Sequence, residues 1–279
     1  MRNKTLVCLL LLFAAILLLP TSTPAQPALP PVRIILVGDS TMAINNGWGP
    51  GFCADVVREV TCVNMAKNGR SSGSYRAEGS WANVMEALKH NHDYKATYVL
   101  IQFGHNDQPG KPGRSTDLAT EFPVNMKRYV DEVTAAGGTP VLVTPLTRRT
   151  FKDGKLVDGL APWVDAVKQV AATGHVRLLD LHADSMAAVQ KMGPAEADTL
   201  AQAPVPAGGG SASGTSIPAP TPSPTPQPSS PSTESEPKVP APPRFDYTHL
   251  GAKGAAYFGR MIATELTQAV PELQPYIIQ

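Results

Sequence analysis

Five short apolar runs constrain this chain more than any other feature: Arg33–Val37, Val60–Met65, Thr97–Phe103, Thr139–Thr144 and Val176–Leu181. They are rich in β-branched residues, and their hydrophobicity is continuous rather than alternating. A strand apolar at every position is buried on both faces, which is how a parallel sheet covered by helices reads. The stretches between supply the helices: Gly51–Glu59, Trp81–His90, Asp117–Ala136 and Trp163–Thr173, with a last one across Gly254–Ala269. The expected fold class is α/β, a three-layer α/β/α sandwich around a mainly five-stranded parallel sheet.

Both flanks of this pattern differ from it. Residues 1–25 read as an export signal, with Arg2 and Lys4 as the basic start, Leu6–Leu19 as the apolar core and Thr23-Pro24-Ala25 as a small-residue cleavage site. The apolar run is shorter than the ~20 residues a membrane span needs, so cleavage near Gln26 and no stable membrane insertion are expected. The destination is then the periplasm or the medium. Cys8 falls inside the signal, leaving Cys53 and Cys62 either as a disulfide or as two small buried apolar residues.

From about residue 201 to 243 the chain turns to Pro, Ser, Thr, Ala and Gly, a composition too poor in large apolar groups to offset chain entropy. The 36 residues that follow hold one helix pattern and no partner for it. Fragments below ~40 residues rarely fold alone. The stretch therefore reads as a disordered insertion within a single domain spanning residues 26–279. A formal net charge of +1 with scattered charges leaves no electrostatic footprint for nucleic acid. The chain is expected to act as a monomer.

In a parallel α/β sheet, ligands bind beyond the carboxyl ends of the strands. Gly38-Asp39-Ser40 follows the first run, Asn68-Gly69-Arg70 the second, and Gly104-His105-Asn106-Asp107 the third, while Asp246-Tyr247-Thr248-His249 precedes the last helix. A serine hydroxyl needs a neighbouring imidazole to take its proton and an acid to orient that imidazole. Ser40, His249 and Asp246 offer that set. The Ser40 amide, the Gly69 amide and the Asn106 side chain are candidate donors to a tetrahedral oxyanion.

These blocks resemble the SGNH, or GDSL-type, hydrolase family, whose name matches Ser40, Gly69, Asn106 and His249. Within it, GDSTM, NGRSS, FGHND, VLVTPLTRR and DYTHLGAKGA are similar to the rhamnogalacturonan acetylesterase branch. The resemblance implies a flavodoxin-like fold and hydrolysis of acetyl esters on pectic polysaccharide. It implies Ser40 as nucleophile, His249 as base, Asp246 as its orienter, and no metal or organic cofactor. The Pro-rich stretch before Asp246, and Tyr247 where a short polar residue is common in this branch, depart from its pattern. A GDSL-type lipase, thioesterase or broad aryl-esterase, or a non-catalytic glycan-binding protein on the same scaffold, are the alternatives.

Other side chains near the motifs have two readings each. His105, Trp48, Tyr75 and Trp81 are candidates to contact a sugar, with core packing, or for His105 a hydrogen-bonded loop position, as the alternative. Asp39 and Asp107 suit loop-fixing acceptors better than acids. Gly69-Arg70-Ser71-Ser72-Gly73 matches the GxSxG nucleophile elbow, but its flanks read as loop rather than as the strand and helix that elbow joins. His90 and His92 lack the acidic or thiolate companions of a metal site.

Overall fold

The computed structural model describes residues 29–202 and 245–278. The export signal and nearly all of the Pro-rich stretch lie outside the described residues. All five apolar runs form strands: β1 (Val32–Gly38), β2 (Val60–Asn64), β3 (Ala96–Gln102), β4 (Thr139–Val143) and β7 (Arg177–Leu179). They pair in parallel in the order β2-β1-β3-β4-β7. In this order the chain steps from β1 outward to β2, then returns to pair β3 on the other side of β1. The reversal opens a crevice between β1 and β3, where Gly38 faces Gln102 at the end of the register.

Successive side chains of one strand feed opposite cores, as continuous hydrophobicity requires. Ile34, Leu36 and Leu100 join one apolar cluster with Phe52, Leu181, Val189, Phe258 and Ile262. Ile35, Val37, Val99 and Ile101 join the other with Val84, Met126, Tyr129 and Val167. The first face is covered by α1 (Gly49–Ala54), α6 (Leu181–Asp198) and α7 (Ala252–Ala269). The second carries α2 (Ser74–Ala77), α3 (Ser80–Leu88), α4 (Phe122–Ala135) and α5 (Ala161–Gly174). The result is the three-layer sandwich.

Boundaries moved where local chemistry competed with pattern. Pro50 and Pro123, each in the first turn of its helix, mark where α1 and α4 begin. Asp117 instead caps a separate turn, accepting from the amides of Ala119 and Thr120 at 2.9 and 2.7 Å. The last strand is shorter than expected because Asp180 ends it and caps α6, its side chain accepting from the Ala183 amide. The sequence pattern gave no α6, which is kinked at Gly193-Pro194. A small hairpin, β5 (Phe151–Lys152) with β6 (Lys155–Leu156), turns on Asp153-Gly154, both at positive φ.

Cys53 and Cys62 form a disulfide that ties α1 to β2, with Cα atoms 5.6 Å apart. Opposite it, α1 lies against α7 with almost no side chain between them. A Cβ on Gly259 would sit 2.3 Å from the Phe52 nitrogen, and one on Gly51 2.0 Å from the Ala255 oxygen. The seam fixes where α7 starts. Just before α7 the chain is also joined to the end of α6, through an antiparallel bridge of Ala201 with Leu250 and a 2.9 Å bond from the Gly251 amide to Leu200. No helix among the described residues is long and apolar enough to cross a membrane.

Candidate active site

Ser40 stands in the turn that leaves β1, at the mouth of the crevice. Asp39, immediately before it, is fully buried and accepts from both the amide and the hydroxyl of Thr41, at 2.9 and 2.8 Å. The Thr41 hydroxyl in turn accepts from Gln102 at the end of β3, and Gln102 accepts from the Trp48 indole at 2.8 Å. This buried chain of hydrogen bonds wires the Ser40 turn into the adjacent strand and α1. Buried hydrogen bonds of this kind rigidify their surroundings.

The imidazole of His249 approaches from the opposite side of the crevice, with Nε2 2.8 Å from the Ser40 Oγ and Nδ1 2.7 Å from an Asp246 carboxylate oxygen. The other Asp246 oxygen accepts from the amides of Thr248 and His249, both at 2.9 Å. Burial works against the charge of Asp246, but those amides and the His249 ring outweigh it and hold the carboxyl below its ordinary range. Asp246 is therefore a stable anion, which binds the Nδ1 proton and leaves Nε2 facing Ser40 as an acceptor. Serine, histidine and aspartate thus line up in the geometry of proton abstraction from a hydroxyl.

Gly69 and Asn106 reach the same mouth. Gly69 adopts φ of 73°, and a Cβ there would come within 3.2 Å of the Arg114 guanidinium. Asn106 is buried and donates from Nδ2 to the Arg70 carbonyl at 3.1 Å, which leaves its second amide hydrogen free to point elsewhere. Among the described residues, neither the Ser40 amide nor the Gly69 amide donates to a protein acceptor. Such donors suit an anionic oxygen. Asp107 holds the Gly69 loop in place, accepting from the amide and hydroxyl of Ser72 at 3.0 and 2.6 Å and from the Thr116 hydroxyl at 2.9 Å.

The other expected contacts are corrected by burial. Trp48 and Tyr75 are fully buried and Trp81 is 5% exposed, so none offers a ring face to a sugar. Trp48 serves the hydrogen-bond chain behind Ser40, the Tyr75 hydroxyl donates to the Met65 carbonyl, and Trp81 packs edge-on against Tyr129 while donating to Glu132. His105 is buried as well, its ring 3.4 Å from Asp39 behind the serine, and burial pushes its pKa down. The aromatic rings left partly open beside His249 are Phe245 and Tyr247, which pack edge-on with centroids 4.8 Å apart.

Ser71 is buried and bonded to Ser74, away from any imidazole. His90 and His92 are exposed beside Asp93, and no metal-binding group of His, Cys, Asp or Glu occurs among the described residues. One residue of the site carried no mark in the sequence pattern beyond its place in VLVTPLTRR. Arg149, between β4 and β5, is fully buried and bonded to the backbone of the Asp246–His249 loop.

Comparison with known proteins identifies the family. Residues 36–201 match the model of the GDSL-like lipase/acylhydrolase family, a span that takes in Ser40, Gly69 and Asn106 and stops before Asp246. The chain is 34% identical over 178 residues to the rhamnogalacturonan acetylesterase RhgT of Bacillus subtilis, covering 61% of this chain and 73% of that protein. Its fold is similar to that of the Bacillus subtilis protein YXIM, at a TM-score of 0.59 and 20% identity, covering 85% of this chain. It spans only 56% of that larger protein's length. An acetylxylan esterase of Geobacillus stearothermophilus, Axe2, is similar at a TM-score of 0.52 and 15% identity, with 84% of this chain and 93% of that one covered.

Proposed function

Because this chain belongs to the GDSL-like lipase/acylhydrolase family, we propose that it is a secreted carbohydrate O-acetylesterase that removes acetyl groups from pectic polysaccharide of the rhamnogalacturonan type. The observation that carries the reading is the unbroken line from Ser40 Oγ through the His249 ring to Asp246, at 2.8 and 2.7 Å. Ser40 attacks the acetyl carbonyl while His249 Nε2 takes its proton, and Asp246 stabilises the imidazolium that forms. The oxyanion is held by the amides of Ser40 and Gly69 and by Asn106 Nδ2. As the acyl C–O bond breaks, His249 gives the proton to the departing sugar oxygen, which leaves as a hydroxyl. Water, activated by the same imidazole, then releases acetate from Ser40.

Two observations favour an acidic polysaccharide over a neutral one or a lipid. RhgT, the 34% identical relative, is named for rhamnogalacturonan. Lys111, Arg114 and Arg148 also gather around the site: Lys111 bonds the His105 carbonyl, Arg114 adjoins Gly69, and Arg148 bonds Gln108 at 2.6 Å. Among the described residues none of the three pairs with a carboxylate. Unpaired cations beside a cleft attract an anionic chain and lose that attraction as salt screens it. Export is supported by the leader-like residues 1–25 and by the disulfide, which persists in an oxidising compartment.

The test is acetate release from acetylated rhamnogalacturonan and from acetylated xylan, by the wild type and by Ser40→Ala. The expected result is preference for the pectic polymer and a drop of ~10³-fold or more in the variant. Equal rates for wild type and variant would remove Ser40 as nucleophile, and preference for xylan would remove the pectic assignment.

A further inference from the structure

We infer that Arg149 is the positioning residue of the Asp246–His249 dyad, acting through the loop backbone rather than on substrate. This rests on the reading of Ser40, His249 and Asp246 as a catalytic triad. The guanidinium donates to the Asp246 carbonyl at 3.0 Å, to the His249 carbonyl at 2.8 Å and, more weakly, to that of Thr248 at 3.4 Å. The Arg149 amide donates to the remaining carbonyl of the loop, Tyr247, at 2.9 Å. All four carbonyls from Asp246 to His249 therefore end on one residue about a hundred positions earlier in the chain.

The amide side of the loop faces the other way. The N–H groups of Thr248 and His249 point at the Asp246 carboxylate. The loop is thus held between a buried cation on its carbonyl side and an anion on its amide side. Neither charge contacts the other within salt-bridge distance, and among the described residues Arg149 forms no ion pair, though the charges of Asp246 and Asp198 lie near enough to favour its cationic form. Peptide dipoles link the two, so the orientation of the loop, and with it the His249 ring, depends on both ends being charged.

A purely structural role fits poorly with the form of this contact. An arginine that is fully buried, with its Nε unbonded, is costly to keep where an apolar side chain could fill the space. Burial pushes its pKa down to about 10, so it remains charged at neutral pH. What the planar fork supplies, and an apolar or ammonium side chain does not, is several hydrogen bonds in fixed directions from one buried residue of the β4–β5 connection. Displacing a catalytic group by ~1 Å can cost ~10²-fold in rate.

The experiment compares full-length wild type, Arg149→Met, Arg149→Lys and Ser40→Ala on p-nitrophenyl acetate, with circular dichroism and thermal unfolding on each. Arg149→Met is expected to lose ~10²-fold in kcat with KM within threefold, and Arg149→Lys ~10-fold, because one ammonium cannot reach three carbonyls. Proton NMR adds a readout that stability alone would not move. The far-downfield signal of the His249 Nδ1 proton bonded to Asp246 should be present in wild type and Ser40→Ala and lost or shifted in the Arg149 variants. Wild-type kcat and an unmoved signal in folded Arg149→Lys would overturn the proposal, whether or not Arg149→Met folds. If Ser40→Ala keeps full activity, the triad reading fails instead, and the two failures are told apart.

Discussion

The two halves of the active site are supported in opposite ways. Ser40 leaves the end of β1, and its turn is held by Asp39, Thr41, Gln102 and Trp48, all within or next to the sheet and all buried. The dyad half stands clear of any strand. Asp246 and His249 have side chains 35% and 30% exposed and are placed by Arg149, by the Ala201–Leu250 bridge and by the glycine seam that seats α7. The comparison teaches that the proposed nucleophile inherits its position from the fold, whereas the proposed base needs contacts assembled from distant parts of the chain. Damage to the first half should appear mainly as lost stability, and damage to the second mainly as lost rate.

The two aspartates give the sharpest way to break that contrast. Asp246→Asn removes the acceptor that fixes the His249 tautomer, and kcat on p-nitrophenyl acetate should fall ~10³-fold or more. Its melting temperature should stay near that of the wild type. Asp39→Asn disturbs a buried carboxylate that holds Thr41 behind Ser40 and should cost about 2 kcal/mol of stability, with a rate loss nearer tenfold. Thermal melts run beside the kinetics decide it: if Asp39→Asn proves the more damaging to rate and Asp246→Asn to stability, the contrast is reversed.

A smaller effect on rate is expected from the disulfide, which closes a loop between residues 53 and 62 and ties α1 to β2. The double variant Cys53→Ser, Cys62→Ser should lose about 2 to 3 kcal/mol in denaturant titration. Its kcat should remain within twofold of wild type. A large loss of rate would mean that α1 transmits strain across its seam with α7.

Glu265, on α7, offers a perturbation that acts on stability and leaves the site untouched. It is buried with both carboxylate oxygens unbonded, and burial together with Asp184 and Asp180 pushes its pKa up to about 8. Between the ordinary carboxylate range and pH 8 the folded state then binds a proton that the unfolded state has released, so stability falls as pH rises, by on the order of 1 kcal/mol per pH unit. Glu265→Gln removes this term. Its melting temperature should vary less between pH 5 and pH 8 than that of the wild type, and parallel curves for the two proteins would show that the carboxyl is not protonated in the fold.

What could be read from the sequence follows the same division. The strands, Ser40, Gly69, Asn106 and the Asp246–His249 pair were legible because each is a local pattern, a β-branched run or a motif of a few residues. Arg149 was not, since its partners lie 97 to 100 positions away and nothing in their spacing announces them. For Trp48, Tyr75 and Trp81 the sequence leaves sugar contact and core packing both open, because nearness to a motif along the chain does not say which way a side chain faces; the structure selects core packing. Each lies at the start of a short helix whose inner face it occupies or borders. The helix α6 was hidden by Leu181, which extends an apolar run beyond its strand, and by the Gly193-Pro194 kink. The β5-β6 hairpin had a usable signal in Asp153-Gly154, a pair that tolerates positive φ at both turn positions.

The bridge between Ala201 and Leu250 carries a consequence for the order of events during synthesis. A growing chain presents its N-terminal part first. All five strands of the main sheet, with Ser40, Gly69 and Asn106 at their ends, have been made by Leu179, seventy residues before His249. Until residues 245–250 arrive and close against Ala201, Ser40 stands without the His249 imidazole beside it. Arrival of that stretch brings His249 to Ser40, so that the proposed triad is assembled only after the whole sheet has been made.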